Sequence, residues 1–353
     1  MKKFTFTASL FMLVAGMSFG QGKSPEKRPD HSYDNNGKKP VEIPANGKPK
    51  EDRTPKPEEA TIGGGNISTV DQKGNLNKAT VNQTGTANIA YVEQSGNVNT
   101  ATQVQVDLSN FNSAYISQTG TLNKANQTQE FSVHHSNATI QQQGYLSKAE
   151  QLQMMVSVSA ENDATIIQMG TLNKAAQTQT GIEAINTASI TQHSDGLAGV
   201  GANKATQTQA LVFEGKNAGL IEQTGAYNEA IQQQEFISGV NAAEIQQIGI
   251  LNVASQRQSD IAGTNQALIL QDGWRNSGIQ TQMRVDGINL ASISQEGITN
   301  QGTQSQFDGA DLRSTLNQRG IGNESIQTQT GNRHISTVTQ TGNYNRALVI
   351  QSN

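Results

Sequence analysis

Glutamine occupies two recurring positions in a repeated unit of this chain. Twelve times between Val70 and Gln351 an aliphatic residue, one spacer and a glutamine follow one another, and a second glutamine comes eleven positions later in every unit without an insertion. A primary amide both donates and accepts hydrogen bonds, so identical amides stacked above one another can pair continuously. Catalysis does not require one polar residue copied this often, whereas a stacked repeat structure does.

These glutamines form two sets that we expect to stack. The first glutamine of each unit is Gln72, Gln94, Gln118, Gln142, Gln168, Gln192, Gln223, Gln247, Gln271, Gln295, Gln318 or Gln340. The second is Gln83, Gln105, Gln129, Gln153, Gln179, Gln209, Gln234, Gln258, Gln282, Gln306, Gln329 or Gln351. Burying an unpaired amide would cost about 1–3 kcal/mol, and stacking removes most of that cost because each amide donates to one copy and accepts from another.

The spacing inside a unit predicts two strands. In the third unit the residues that recur two apart are Asn112, Ala114, Ile116, Gln118 and Gly120, followed by Asn123, Ala125, Gln127 and Gln129. A period of two places each set on one face of a strand. The step from Gly120 to Asn123 breaks that period and predicts a tight turn, since glycine and asparagine tolerate positive φ. Each unit therefore has the pattern of a strand, a tight turn, a second strand and a looser turn.

The composition argues against an ordinary hydrophobic core. Of 353 residues only 34% are hydrophobic and 5% aromatic, cysteine is absent, and the formal net charge of −4 is small. An absence of cysteine excludes disulfides and thiolate metal sites, and the small charge favours no nucleic-acid partner. The repeats predict an all-β solenoid of twelve stacked strand-turn-strand rungs with two facing parallel sheets, about 58 Å long at roughly 4.8 Å per rung. We predict no cofactor and no metal.

The N-terminal sixty residues differ in composition from the repeats. Lysines at positions 2 and 3, an apolar run at 4–14 and small residues before position 21 are typical of a signal peptide cleaved after Gly20. All seven prolines lie between positions 25 and 57, among charged residues, which indicates disorder. We therefore predict a signal peptide at 1–20, a disordered Pro/Lys/Glu-rich segment at 21–61 and a repeat domain at 62–353.

The two end units differ from the ten between them. Val81 and Val349 stand where each internal unit carries a further glutamine, two residues before the second glutamine. No proline or charge cluster follows Val349 in this sequence. Solenoids usually cover such edges, so we expect both end faces to be open to pairing with another copy of the chain.

The repeated pattern resembles that of curlin, the subunit of the bacterial extracellular amyloid called curli. The curlin repeat places an Asn or Ser six residues before a Gln, then Gly, Asn, Ala and Gln two, five, seven and eleven residues after it. Matching sets are Asn112, Gln118, Gly120, Asn123, Ala125 and Gln129; Asn162, Gln168, Gly170, Asn173, Ala175 and Gln179; and Asn241, Gln247, Gly249, Asn252, Ala254 and Gln258, with Asn345 at the same turn position of the last unit. Departures are Leu312, His334, Ser147, Gly278, Gly302 and Ser325, which we expect to weaken the stacking locally. The similarity extends over about 66–351.

The resemblance implies a structural role rather than an enzymatic one. It implies export across both membranes of a Gram-negative cell through a dedicated outer-membrane secretion channel. It further implies templated folding, with a nucleator subunit as partner, into extracellular fibres on the cell surface that build biofilm matrix and promote adhesion. Within this family the chain fits either a major fibre subunit or a minor, nucleating one.

Two other kinds of solenoid protein fit the sequence less well. A β-helix enzyme would need clustered carboxylates or a histidine site, and the adjacent pair His134 and His135 is predicted to lie in a solvated loop or to bind a metal weakly. An ice- or crystal-binding solenoid would need a continuous outward threonine array, and the corresponding column mixes Thr128 with Leu152 and Arg257. A stand-alone surface-binding solenoid remains an alternative.

One outward column carries a stripe of positive charge. Lys124, Lys148, Lys174 and Lys204 occupy the same position in four consecutive units. Stacked like charges repel one another. The stripe either provides solubility and slows growth at strand edges, or binds anionic polysaccharide or anionic surfaces.

Overall fold

The computed structural model describes residues 65–106, 111–131, 136–156, 161–194 and 201–353. The predicted signal peptide, the predicted disordered segment and the His134–His135 pair lie outside these ranges. The described residues form strands joined by turns. Among them there is no helix long and apolar enough to cross a membrane.

The chain forms strands that follow the predicted units closely. In chain order they are β1 (Ile67–Asn75), β2 (Lys78–Gln83), β3 (Ile89–Asn97), β4 (Thr100–Val106), β5 (Ser113–Thr121), β6 (Lys124–Glu130), β7 (Ser136–Tyr145), β8 (Lys148–Val156), β9 (Asn162–Thr171), β10 (Lys174–His193), β11 (Lys204–Ala226), β12 (Glu229–Ile250), β13 (Val253–Ile261), β14 (Thr264–Trp274), β15 (Ser277–Asp286), β16 (Ile288–Ile298), β17 (Gln301–Ala310), β18 (Arg313–Ile321), β19 (Glu324–Thr330), β20 (Ile335–Asn343) and β21 (Arg346–Ser352).

Each strand pairs in parallel with the equivalent strand of the next unit, which confirms the predicted β-solenoid. The first strands of the units form one sheet, in which Gln94 lies beside Gln118 and Gln118 beside Gln142. The second strands form the other, in which Gln105 lies beside Gln129. β10, β11 and β12 each begin in the second sheet and end in the first sheet of the following rung. Twelve rungs result, the first from β1 and β2 and the last from β20 and β21.

The two sheets face each other across a thin interior. Alternate residues of β5 are buried, and these are Ala114, Ile116 and Gln118. One aliphatic side chain per rung comes from the first sheet, and in most rungs it packs against one alanine from the second, as Ile116 does in the cluster with Ala125. Most of the remaining buried side chains are Gln and Asn. The interior is therefore shared between a narrow apolar column and polar columns that must pair.

The tight turn corrects one sequence prediction. Gly120 has φ +118°, as expected, but the second residue with positive φ is Leu122, at 59°, and not Asn123. A Cβ on Gly120 would overlap the backbone of Gly144 in the next rung, so only glycine fits there. The prediction was right for glycine and wrong for asparagine, whose amide instead makes hydrogen bonds that close the turn.

The looser turn of the middle rungs is more ordered than predicted. Beyond the closing glutamine, β10, β11 and β12 continue as paired strands rather than ending in a loop. A second, smaller core lies here, formed by Ile182, Val212, Ile237, Ile261, Val285 and Leu312, all almost fully buried. This stack of six side chains buries additional apolar surface in rungs that would otherwise depend on the narrow interior alone.

Two departures from the repeat have a packing explanation. Leu312 replaces an opening asparagine, yet it is fully buried in the second core and its N–H donates to Asn289 Oδ1 at 2.9 Å. Gly302 replaces alanine beside Leu316, and a Cβ at that position would lie 2.6 Å from Leu316 Cδ2. Leu312 therefore strengthens packing where local weakening was expected. By contrast, the Ser147 and Ser325 hydroxyls have no hydrogen-bond partner, which fits the expected weakening.

Candidate functional site: amide ladders and end rungs

The first glutamine of every rung forms an unbroken ladder. From Gln72 to Gln340, each Nε2 donates to the Oε1 of the next rung, through eleven hydrogen bonds of 2.6–2.9 Å. The side chains of the internal rungs are almost wholly buried. Buried amides that pair with identical neighbours avoid the penalty of an unmade hydrogen bond.

The second glutamines form an equally complete ladder. From Gln83 to Gln351, eleven Nε2-to-Oε1 hydrogen bonds of 2.7–2.9 Å run in the same direction. A third glutamine column, which begins at Gln103 and ends at Gln327, has nine such bonds of 2.6–3.0 Å. The insertion inside rung six, between Gln192 and Asn203, does not interrupt them, since Gln192 still donates to Gln223.

The ladders also join the two sheets. Gln118 Nε2 donates to the backbone carbonyl of Thr100 in the opposite sheet at 3.1 Å, besides donating to Gln142. Gln129 Nε2 similarly donates to the carbonyl of Ser136 at 3.0 Å. Each of these two amides thus uses one hydrogen along the axis and the other across the interior. Separation of the two sheets would break the bonds across the interior.

Asparagines at the tight turns add a fourth column. Asn123 Nδ2 donates to the carbonyls of Thr119 in its own turn and Gly144 in the next, at 3.3 and 3.0 Å. Its Oδ1 accepts from the backbone N–H of Ser147 at 3.1 Å. Asn173, Asn252 and Asn345 occupy the same position, and the Asn252 and Asn345 N–H groups likewise donate to the asparagine of the preceding rung. Sequence reasoning placed these residues correctly but assigned them the wrong conformational role.

Every glutamine ladder points the same way along the axis, so the two ends of the solenoid are chemically different. The first rung presents the Oε1 acceptors of Gln72 and Gln83, and the last rung presents the Nε2 donors of Gln340 and Gln351. In the third column Gln103 Oε1 has no donor, because Val81 stands below it. At the other end Gln327 Nε2, which faces Val349, donates instead to Ser336 Oγ at 3.1 Å.

The end rungs match each other more closely than either matches the internal rungs. The template residues of the first rung are Ser68, Val70, Gln72, Gly74, Asn77, Ala79, Val81 and Gln83, and those of the last are Ser336, Val338, Gln340, Gly342, Asn345, Ala347, Val349 and Gln351. The two sets are identical, although the opening residues, Asn66 and His334, differ. Among the described residues, β1 and β2 pair only with the second rung, and β20 and β21 only with the eleventh.

The predicted lysine stripe exists, but two of its members are neutralised. Lys124, Lys148, Lys174 and Lys204 lie side by side in register on the outside of the second sheet. Lys148 forms an ion pair with Glu150 and Lys204 with Glu229, each at 2.7 Å. Within the described ranges Lys124 and Lys174 have no acidic partner. The free positive charge of the stripe is therefore about half of what the sequence suggested.

The acidic groups of the described residues form no cluster that could bind a metal. In the part of the chain that the structure describes, no three His, Asp or Glu side chains gather closely enough to hold a metal ion. Burial raises the pKa of Glu244, and the neighbouring carboxylate of Glu222 raises it further. The hydrogen bond from Arg284 lowers the pKa of Asp308, which is fully exposed. Neither shift belongs to a cleft with a nucleophile or a base.

Comparison of the sequence with known protein families matches part of this chain to a repeat family. The model of the curlin associated repeat matches residues 74–102, which run from the tight turn of the first rung into the second strand of the second. The matched segment contains residues that form the columns described above, namely Gly74, Asn77, Gln83, Gln94 and Asn99. The chain contains a curlin associated repeat. The same residues recur in register in the other rungs, as the pairing of Gln118 with Gln142 and Gln295 with Gln318 illustrates.

The curlin repeat and the solenoid fold together support a curlin-like structural subunit, and the family is structural rather than enzymatic. No curated protein matches the chain in a direct comparison.

Proposed function

We propose that this curlin-repeat protein is the structural subunit of an extracellular, curli-like amyloid fibre that grows by rung-on-rung stacking. The observation that carries the proposal is that the two end rungs share the same template residues and present complementary groups. The first rung presents amide oxygens that can accept, and the last rung presents amide nitrogens that can donate. If the last rung of one copy docks below the first rung of another in register, Gln340 and Gln351 donate to Gln72 and Gln83 of the next copy. Val349 then meets Val81, so across the joint itself no amide faces an apolar side chain.

Docking in this register is also acceptable on the outside of the sheets. It places Thr339 beside Asp71 and Arg346 beside Lys78 of the next copy. The second pair is of like charge, but Arg346 already has an ion pair with Glu324 at 3.2 Å. The exposed first strand and its Val70, about half exposed, become buried in the joint, which favours association.

Exchanging the two end valines for glutamine tests the joint. Val81→Gln supplies the missing donor to Gln103 inside the chain, but its Oε1 would face Val349 of the neighbouring copy without a donor. Val349→Gln leaves an Nε2 facing Val81 in the same way. Each single change strands one amide group at a cost of about 1–3 kcal/mol, so we expect fibre elongation from preformed seeds to slow roughly tenfold.

The double variant, V81Q/V349Q, should elongate at least as fast as the unchanged chain, because the third glutamine column then continues through the joint. Elongation is measured by thioflavin fluorescence and electron microscopy with the full chain. Equal elongation rates for the two single variants, the double variant and the unchanged chain would show that these two rungs do not meet.

The surrounding biology is proposed from the family. Export by a signal peptide and a dedicated outer-membrane channel of a Gram-negative cell, initiation by a nucleator subunit, biofilm matrix formation and adhesion all accord with the curlin repeat. The near-uniform glutamine columns favour a major subunit over a nucleating one. Unbranched fibres with a repeat of about 4.8 Å that seed fresh chain support this role, whereas a folded monomer that never seeds supports a stand-alone binding solenoid.

The lysine stripe is proposed to bind anionic polysaccharide. Four stacked cations about 4.8 Å apart repel by about 1 kcal/mol per pair in water, and the two unpaired members, Lys124 and Lys174, remain free for an anionic polymer. We expect K124Q/K174Q to weaken binding of assembled fibres to heparin roughly tenfold at low salt. The control, K73Q/K216Q, changes the net charge equally at exposed positions outside the stripe. If both variants bind alike, the stripe serves only solubility.

A further inference from the structure

We propose that two solenoids pair side by side through an apolar ridge on the tight-turn edge of rungs seven to eleven. This inference rests on the proposed fibre. The ridge consists of Tyr227, Ile250, Leu251, Trp274, Ile298 and Ile321. Each of these side chains is between 36 and 47% exposed. Apolar surface that stays exposed in a continuous line marks an interaction surface rather than a scatter of single residues.

The register makes the ridge continuous. Ala226, Ile250, Trp274, Ile298 and Ile321 are direct neighbours in successive rungs of the first sheet. In the same turns the repeated glycine and asparagine occupy the inward positions, so the two residues between them point outward. Arg275 is the one charged residue at the two outward turn positions of rungs seven to eleven, and its guanidinium stacks over Trp274 at 4.6 Å. The two outward turn positions of these rungs therefore carry a single charge.

Exposed aliphatics on the outside of the second sheet do not form such a line in rungs seven to eleven. There Ile279 lies between Ser255 and Thr303, and Ile326 follows Thr303. In these rungs the apolar side chains of the column alternate with hydroxyls. Individual side chains of the ridge and of the second-sheet column are similarly exposed. The two columns differ because only the ridge is apolar in every successive rung.

The size and period of the ridge identify a second copy of this chain as the partner. Five rungs at roughly 4.8 Å give a strip about 24 Å long and one or two residues wide, which is too small to bury the roughly 800 Å² per partner of a stable protein complex. A globular partner would gain too little from it. A second fibre presents the same strip with the same axial repeat, so many weak contacts act together once chains are stacked end to end.

The single tryptophan of the chain is a direct probe of this contact. Trp274 lies in the ninth rung, so stacking of end rungs leaves its exposure unchanged, whereas side-by-side pairing buries it. We expect acrylamide quenching of Trp274 to fall about threefold or more when the full chain assembles. Mass per length from scanning transmission electron microscopy should correspond to two solenoids side by side.

A matched pair of variants separates the ridge from general hydrophobicity. I250T/I298T/I321T removes three ridge side chains and retains Trp274; threonine already occupies the same column at Thr121 and Thr171. We expect fibres with half the mass per length and with Trp274 as accessible as in the monomer. The control, V253T/I279T/I326T, removes aliphatics of 39–44% exposure from the second sheet and should leave both readouts unchanged.

Each outcome decides the inference. Fibres of the unchanged chain with the mass per length of one solenoid overturn the lateral contact while leaving the end-to-end fibre intact. A ridge variant that keeps double fibres, or that loses only adsorption to lipid vesicles, also overturns it. Failure of the chain to form fibres at all overturns the fibre itself, and the lateral contact with it.

Discussion

Gln142→Leu is expected to destabilise the solenoid by about 2–6 kcal/mol. Gln142 is buried between Gln118 and Gln168 and bonds to both at 2.8 Å. A leucine there fits the interior in size but leaves Gln118 Nε2 without its axial acceptor and Gln168 Oε1 without its donor. Two stranded buried groups, each costing about 1–3 kcal/mol, account for the magnitude. The loss is measured as the shift of the urea unfolding midpoint of the monomer.

The neighbouring residue supplies the control. Gln141 points outward from the same strand, so Gln141→Leu makes the same chemical change outside the ladder. Its effect should stay within about 0.5 kcal/mol, as for ordinary surface substitutions. The ladder variant should also lengthen the lag before fibres form, and the control should not. If the two midpoints shift equally, amide pairing is not what orders the stack.

Gly120→Ala is expected to separate the third and fourth rungs at their tight turns. At φ +118° any side chain is strained, which costs about 1–3 kcal/mol, and the added Cβ would overlap the Gly144 carbonyl oxygen and lie 3.0 Å from its carbon. Backbone cannot move aside as a side chain can. The turn must then open, and the Asn123 hydrogen bond to Gly144 is lost with it. We expect a loss of at least about 3 kcal/mol.

Hydrogen exchange locates that effect. Amides of rungs three and four should lose protection first, and those of rungs ten and eleven should keep it, because each rung contacts mainly its neighbours. Gly65→Ala is the control, since a Cβ at Gly65 meets no atom within 4 Å. If amide protection in the Gly120 variant falls evenly along the solenoid, the clash does not act locally on rungs three and four, and the prediction is wrong.

Much of the fold could be predicted because the repeat carries its own register. Once identical residues recur mostly every 22–26 positions with a period of two inside each unit, stacking Gln118 on Gln142 is the arrangement that pairs the buried glutamine columns. The exclusion of proline after position 57 and the glycine of each turn agree with it. Local and global preferences point to the same structure.

The missed features depend on contacts that vary between units. The second core had a signal, an aliphatic residue three positions after the closing glutamine at Ile182, Val212 and Ile237. Ile261 and Val285 share this offset, but Leu312 does not, and the segments that follow differ in length from unit to unit. Which lysines of the stripe are neutralised depends on whether a glutamate such as Glu150 or Glu229 reaches them in space. The positive φ of Leu122 follows from turn geometry and not from a preference of leucine.

The sequence by itself determined the number of rungs, the register of the glutamine columns and the place of the tight turns, because those depend on residue identity at repeated positions. Only the tertiary structure decided the common direction of the amide ladders, the second core and the continuity of the apolar ridge. A glutamine side chain can donate toward either neighbour, and the direction becomes fixed when its second hydrogen bonds to a carbonyl of the opposite sheet, as Gln118 does to Thr100. That choice depends on how the two sheets are offset, which no single repeat encodes.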